Sequence, residues 1–303
     1  MEPAIDQQAT ARLTGAIGQW DQGAMCLTAL AVAANGTAAQ ALTAAAGDVV
    51  RAAGLDGVLA SPERLPFSPG ELSGMAASPL LQAAAVLGGG YEAWTAQSDA
   101  ALIAQGQASG STAGLFAQFL LPQFSDLAGR LAEPGARMLD VGTGIGALAA
   151  GFARTFPSLH VTGIDVLPRV VDIARARLHA TPVASRVEVR QQNVEDLTDQ
   201  ACYDLAWIPA PFVPQPAFGA GIARIVTALR PGGVLVVGHG TAGGTDLASA
   251  ITRFRTVIYG GTPLDGASAR RLLEDNGLTS VQTVATPPGA PALTAGRKPS
   301  PRR

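Results

Sequence analysis

The chain has 303 residues, enough for one large or two modest domains around a sizeable core. Hydrophobic residues make up 48% and charged residues 15%, with a formal net charge of -2 and a pI of about 5.9. That balance leaves no electrostatic footprint for nucleic acid or an anionic membrane and points to a small or neutral partner. Its two cysteines, Cys26 and Cys202, stand far apart and without metal-ligand spacing, so neither a disulfide framework nor a metal site is expected, and the reducing cytoplasm is the natural home.

The opening Met1-Glu2-Pro3-Ala4-Ile5-Asp6 is acidic and lacks the basic start of a signal peptide. Ala24 to Ala34 is apolar but stops at Asn35-Gly36, too short to span a bilayer. A segment such as Ala24 to Val32 could pack between two chains of a homodimer. Residues 5 to 133, rich in Ala, Leu, Gln and Gly, read as several short helices, with Leu13, Ile17 and Trp20 and then Val49, Val50 and Ala53 at helical spacing, where they are expected to form a core stripe. Ser61-Pro62-Glu63-Arg64, Ser68-Pro69-Gly70-Glu71 and Ser78-Pro79-Leu80-Leu81 each look like an N-cap followed by proline, which predicts three short helices. Asp99 to Gln107 reads as another helix, and Leu115 to Leu131 as an amphipathic one that ends near Pro134-Gly135.

From residue 136 strands and helices alternate, the signature of a parallel sheet covered on both faces. Arg137 to Val141 is the first strand, and it runs through Asp140-Val141-Gly142-Thr143-Gly144-Ile145-Gly146 into an alanine-rich helix, Ala147 to Thr155. Bare backbone at three alternate positions allows positive φ and close approach of a ligand. A dinucleotide fold asks for G-x-G-x-x-G so that pyrophosphate can sit on the helix N-terminus. Here an acid, Asp140, stands on the strand itself, where it would repel pyrophosphate and suit an ammonium or sulfonium cation. This Asp-x-Gly-x-Gly-x-Gly stretch closely resembles the first motif of the class I S-adenosylmethionine (SAM) dependent methyltransferases.

The resemblance covers residues 136 to 297 and implies a Rossmann-like α/β fold with a seven-stranded, mostly parallel sheet. It divides the chain into a helical N-terminal domain or lid over residues 1–133, a SAM-binding domain over 134–297 and a disordered tail over 298–303. Asp140, Gly142, Thr143, Gly144 and Gly146 would then shape the cofactor loop. His160 to Asp165 is the second strand, and Asp165, nineteen residues beyond Gly146, is placed to accept both ribose hydroxyls, with Val166 beside it. Arg186 to Arg190 is the third strand, and the Asn193-Val194-Glu195 turn after it is where the family reads adenine. Asn193, with Val194, carries that expectation, since an asparagine offers both donor and acceptor.

Tyr203 to Ile208 is the fourth strand and ends in Pro209-Ala210-Pro211-Phe212-Val213-Pro214, a rigid loop with few amide donors. In the resembled family this loop lies beside the reactive methyl group, which makes Pro209 a cofactor residue and Trp207 and Phe212 substrate residues. It departs from the Asn/Asp-Pro-Pro-Tyr/Phe of amino-group methylating members. A Leu229-Arg230-Pro231-Gly232-Gly233 turn leads into the fifth strand, Val234 to Val237, another recurring family feature. Asp246 to Tyr259 and Ser268 to Asn276 are predicted helices, and Leu278 to Thr286 with Pro291 to Gly296 a closing antiparallel hairpin.

In the resembled families the helical N-terminal part covers the substrate side of the pocket, so Tyr91, Trp94, Gln105 and Gln107 are candidates for a lid, Trp94 on the substrate and Tyr91 and Gln107 at the chemistry. Methyl transfer from a sulfonium needs chiefly alignment, with a base only where the acceptor must lose a proton. His239, just past the fifth strand, is the candidate base. No H-E-x-x-H, G-x-S-x-G or Walker loop is present, and no carboxylate cluster for a metal follows the fourth strand. The expected function is SAM-dependent methylation of a small molecule in secondary metabolism. Two rivals keep the cofactor: closure of SAM's own aminobutyryl chain to a small ring amino acid with release of methylthioadenosine, and a SAM-binding scaffold without turnover.

Overall fold

The computed structural model describes residues 7–35, 40–55, 68–89, 93–240, 245–286 and 290–300. Ser61-Pro62-Glu63-Arg64, Tyr91 and the last three residues of the tail lie outside them. The N-terminal part is helical: α1 (Gln7–Asn35), α2 (Gln40–Ala52), α3 (Pro69–Leu87) and α4 (Asp99–Gly110). Ser68 does cap α3 as its sequence suggests. Its hydroxyl accepts from Glu71 N at 3.2 Å while its own amide donates to the Glu71 carboxylate at 2.6 Å.

Ser78-Pro79, however, starts no second helix. Pro79 sits inside a continuous 19-residue α3, because packing on α4 outweighs the one backbone hydrogen bond the ring removes. A Cβ on Gly74 would lie 2.6 Å from both Ala104 O and Gln107 Cβ, so the two helix backbones meet there. The predicted amphipathic helix from Leu115 to Leu131 is likewise corrected. It breaks into a helical turn (Thr112–Leu115), a π turn (Phe116–Leu120), a 3-10 turn (Leu121–Gln123) and α5 (Leu127–Ala132), with Pro122 unable to donate at the break.

Seven strands form one sheet in the order β3-β2-β1-β4-β5-β7-β6. They are β1 (Arg137–Val141), β2 (His160–Asp165), β3 (Val187–Gln191), β4 (Tyr203–Pro209), β5 (Leu229–His239), β6 (Thr279–Val284) and β7 (Ala292–Arg297). β1 to β5 are parallel, and β7 enters antiparallel to both β5 and β6. The helices of this part are α6 (Ala147–Thr155), α7 (Pro168–His179), α8 (Gln215–Ala228), α9 (Leu247–Ile258) and α10 (Gly266–Asp275).

Alternate residues of each strand feed two apolar layers, as a parallel sheet covered on both faces requires. Met138, Val161, Leu205, Val234 and Val236 join Phe116, Leu148 and Phe152 on one side. Leu139, Ile164, Ala206, Leu235 and Val237 join Phe218, Ile222 and Ile225 on the other. The expected disordered tail is ordered at its start. Lys298 exchanges backbone hydrogen bonds with Gly232 and Gly233 at 2.8 Å each, and its ammonium donates to Leu229 O at 2.7 Å.

Candidate functional site

Open α/β sheets take ligands outside the carboxyl ends of their strands, and at that edge of this sheet β1 and β2 run side by side into their loops. Gly142, Gly144 and Gly146 all take positive φ, at +65°, +56° and +75°. The turn is pinned to β2 by Gly142 N and Thr143 N, which both donate to Ile164 O at 2.9 and 3.0 Å. A Cβ on Gly144 would meet nothing within 4 Å, so the turn presents open backbone there, and one on Gly142 would meet only the Pro209 ring at 3.7 Å. Gly163 belongs to the same design: a side chain there would strike the Thr143 hydroxyl at 2.6 Å.

Two carboxylates flank this backbone. Asp140 is 1% exposed, accepts from Thr143 Oγ1 at 2.7 Å, and burial pushes its carboxyl up to about 7. Asp165, at the end of β2, accepts from Gly144 N and Leu167 N at 3.1 Å each, one on either carboxylate oxygen. Burial raises its pKa, while the backbone donors at Leu167, Gly144 and Val166 hold it back. A carboxylate fixed by two amides, with lone pairs to spare, is a receptor for vicinal hydroxyls. Val166 follows it, 54% exposed, as an apolar ledge at the mouth.

Farther along the edge the expectations divide. Asn193 spends its side chain on its own turn, accepting from Glu195 N at 3.2 Å and donating to the Glu195 carboxylate at 2.9 Å. Val194 is turned into the core, 3% exposed, where a Cβ on Gly221 would lie 2.6 Å from it. Trp207 is no pocket wall. Its indole lies in the apolar layer, 6% exposed, edge-on to Phe116 at 5.4 Å and packed over Gly238. The alternation of β4 dictates this, since the side chain that shares a register with Asp140 belongs to one fixed face.

His239 is also displaced from the expected role. It ends β5 paired with Ala292, is 2% exposed, and has both ring nitrogens engaged, Nδ1 with Gly240 O at 3.0 Å and Nε2 with Thr294 Oγ1 at 2.8 Å. Burial pulls its pKa down. Gln107 faces α3, against Gly70 and Gly74, rather than the glycine turn. The α4 residue over that turn is Gly106, where a Cβ would lie 2.3 Å from Ile145 Cγ1. Gln105 joins a polar ladder between α3 and α4, accepting from Ser78 Oγ at 2.8 Å and Gln82 Nε2 at 3.0 Å.

What the structure does bring together is Trp94, Phe212 and Tyr259. Trp94 lies 5.3 Å from Tyr259 in a stacked arrangement and 5.4 Å from Phe212, and Phe212 lies 4.6 Å from Tyr259. Burial raises the Tyr259 phenol's pKa, against the field of Arg255 and a hydrogen bond with Gln82. Sequence reasoning missed Tyr259. The available signal was the Gly260-Gly261 pair behind it, because Gly261 is pressed so tightly on the proline loop that a Cβ would overlap Pro211 O at 1.9 Å. Thr262 completes that docking, donating through N to Ala210 O at 2.8 Å and through Oγ1 to Val213 O at 2.9 Å. Among the described residues no group of three His, Cys, Asp or Glu could hold a metal, and no helix is long and apolar enough to cross a membrane.

Residues 138–233 match the family described as Methyltransferase domain. A ubiquinone biosynthesis O-methyltransferase of Xanthomonas campestris pv. campestris is 38% identical over 117 residues, which are 36% of this chain and 45% of that protein. The chain spans less than half the length of the curated relatives it matches. Among solved structures, an O-methyltransferase family protein from Burkholderia thailandensis aligns with a TM-score of 0.60 at 19% identity, over 99% of this chain and 100% of that one. Human N-acetylserotonin methyltransferase in complex with SAM aligns with the same TM-score at 16% identity, over the same shares.

Proposed function

We propose that this chain, whose sheet and helices have the class I methyltransferase fold, transfers the methyl group of SAM to a small uncharged molecule. The observation that carries the reading is the Asp165 carboxylate, held by the Gly144 and Leu167 amides beside a turn of bare backbone. When bound, the cofactor supplies a methyl group on positive sulfur, already activated for displacement. The residues present fit it. Asp165 receives ribose hydroxyls, the open side of Gly142 and Gly144 admits the chain beyond the sugar, and the ionised Asp140 contributes negative potential to a cationic ligand. Pro209 limits the groove at the end of β4.

The proteins then have little covalent work to do, and alignment is the contribution that matters. The wall of Trp94, Phe212 and Tyr259 supports a flat, apolar acceptor, and the chain's slight negative charge without basic clusters argues against nucleic acid. The acceptor on this reading is a small molecule of a secondary pathway, methylated in the cytoplasm. Leu13, Ile17 and Trp20 are not the core stripe their spacing suggested: each is more than half exposed on α1, and that apolar surface supports a homodimer.

Calorimetric titration with S-adenosylhomocysteine tests the core of the proposal. Tight binding to the wild type that falls by about two orders of magnitude in Asp165→Ala is the expected result, as for loss of a charge-assisted pair of hydrogen bonds. No heat with the wild type would end it. Incubation with SAM alone separates methyl transfer from ring closure, since methylthioadenosine released without any acceptor would replace the first chemistry by the second.

A further inference from the structure

Two side-chain atoms among the described residues are buried with no hydrogen-bond partner, Trp94 Nε1 and Gln97 Oε1. They lie three residues apart in one turn, and the Gln97 side chain belongs to a residue only 3% exposed. An unmet buried donor or acceptor costs about 1–3 kcal/mol, so two in one turn ask for an occupant that completes them.

The turn's position says which occupant. At one end it is fastened to the start of α7, immediately after Asp165 and Val166. Arg169 donates to Gln97 O there and pairs with Asp99 at 3.0 Å. At the other end Trp94 stacks on Tyr259 and lies tilted against Phe212, past the ends of β4 and β5. The turn therefore crosses the carboxyl edge from β2 to β4, above the glycine turn that ends β1, and α4 continues from it onto Ile145. A nucleoside tethered through its sugar at β2 must run the rest of its length toward β4, beneath this strap.

We propose that Trp94 and Gln97 are cofactor-reading residues of the helical N-terminal part, Trp94 Nε1 donating to the carboxylate of the bound SAM and Gln97 Oε1 accepting from its ribose or amino group. This rests on the reading of the site given above. Trp94 packs on Phe212 just beyond β4, where a ligand tethered through its sugar at β2 would carry its amino-acid end, and the strong acceptor of that end is its carboxylate. Gln97 stands between that end and the sugar, and both neighbours are donors. The helical part is then a component of the cofactor site as well as a cover for the acceptor.

The test is calorimetry of the full chain with S-adenosylhomocysteine and with methylthioadenosine, which lacks the amino-acid end, on the wild type, Trp94→Phe, Gln97→Leu and Asp165→Ala. Trp94→Phe is expected to weaken S-adenosylhomocysteine about tenfold and leave methylthioadenosine unchanged, the size of one hydrogen bond to a charged group. Gln97→Leu is expected to weaken S-adenosylhomocysteine about tenfold, with methylthioadenosine following if the sugar is the donor and not if the amine is. The ligand-free Gln97→Leu protein is expected to melt no lower than the wild type, because an unmet acceptor has been removed. Wild-type binding that is lost in Asp165→Ala yet unchanged in both strap variants overturns this inference alone. So does weaker binding by Gln97→Leu accompanied by a lower melting point, which would assign the side chain to packing. Absence of wild-type binding overturns the proposed function itself.

Discussion

Replacing Asp140 by asparagine separates what the buried acid does for the fold from what it does for the ligand. Its carboxyl is pushed from 3.8 up to about 7, chiefly by desolvation, with Asp165 adding repulsion and the Thr143 hydroxyl opposing both. A rise of about three units corresponds to about 4 kcal/mol spent on holding the charge inside. The folded protein keeps this proton up to pH 7 while the unfolded chain gives it up near 3.8, so stability falls as pH climbs between those values and no further above them. Asparagine removes that loss but brings an amide N–H₂ into the same space without a partner, which takes back about 1–3 kcal/mol. The net expectation is a thermal midpoint about 4 °C above wild type at pH 8 in the absence of ligand, at about 2 °C per kcal/mol. The advantage shrinks toward pH 5. Titration with SAM moves the opposite way: wild-type affinity rises through pH 7 as the acid ionises, whereas the variant is weaker and flat with pH. A midpoint at pH 8 no higher than wild type, or an offset that is the same at pH 5, would refute the reasoning.

Three further outcomes follow from the packing. Gly106→Ala places a methyl 2.3 Å from Ile145 Cγ1, and overpacking of about 1–3 kcal/mol is expected as a lower melting point together with weaker S-adenosylhomocysteine binding, both nearly absent when the change is made in Ile145→Ala. For His239→Gln, turnover within about threefold of wild type is expected, where loss of a general base would cost about a hundredfold or more. The neutral, buried imidazole makes the wild type lose stability as pH falls below 6.5, since only the unfolded chain then takes up the proton. Melting curves of His239→Gln between pH 7 and 5 are expected to show a smaller decline.

The glycine turn and Asp165 could be read from the sequence because their geometry is local. A strand, three bare residues and a helix fix the turn within eleven positions, and β2 brings its terminal acid to the same edge through the register Val141 to Ile164. The hairpin that closes the sheet was equally plain. Trp207, Gln107 and His239 were not: Trp207 and Gln107 sit on elements that were placed correctly, His239 on a β5 that runs from Leu229 through the expected turn and two residues past the expected end at Val237, and in each case the face presented is decided by residues far away. Gly238 leaves room for the Trp207 indole, Gly74 draws Gln107 toward α3, and Thr294 on β7 captures the His239 ring. Side-chain type suggested chemistry, but the partner's missing Cβ or waiting hydroxyl determined direction.

The same dependence on absent side chains explains why the cluster of Trp94, Phe212 and Tyr259 forms where it does. The proline loop after β4 has lost amide donors and cannot be held by sheet hydrogen bonding, so it needs a partner that reaches its carbonyls. Gly261 and Thr262 supply that, by direct backbone approach to Ala210 and Pro211 and through the Thr262 hydroxyl to Val213 O. Tyr259 is carried along two residues earlier and arrives against Phe212. Trp94 then closes on a surface made by two segments of the sheet domain, while Gln82 of α3 meets the same phenol. A substitution at Gly261 should therefore disturb the aromatic cluster more than one at Trp94 does, because it separates Phe212 from Tyr259 and leaves the turn that carries Trp94 fastened only at its Arg169 end.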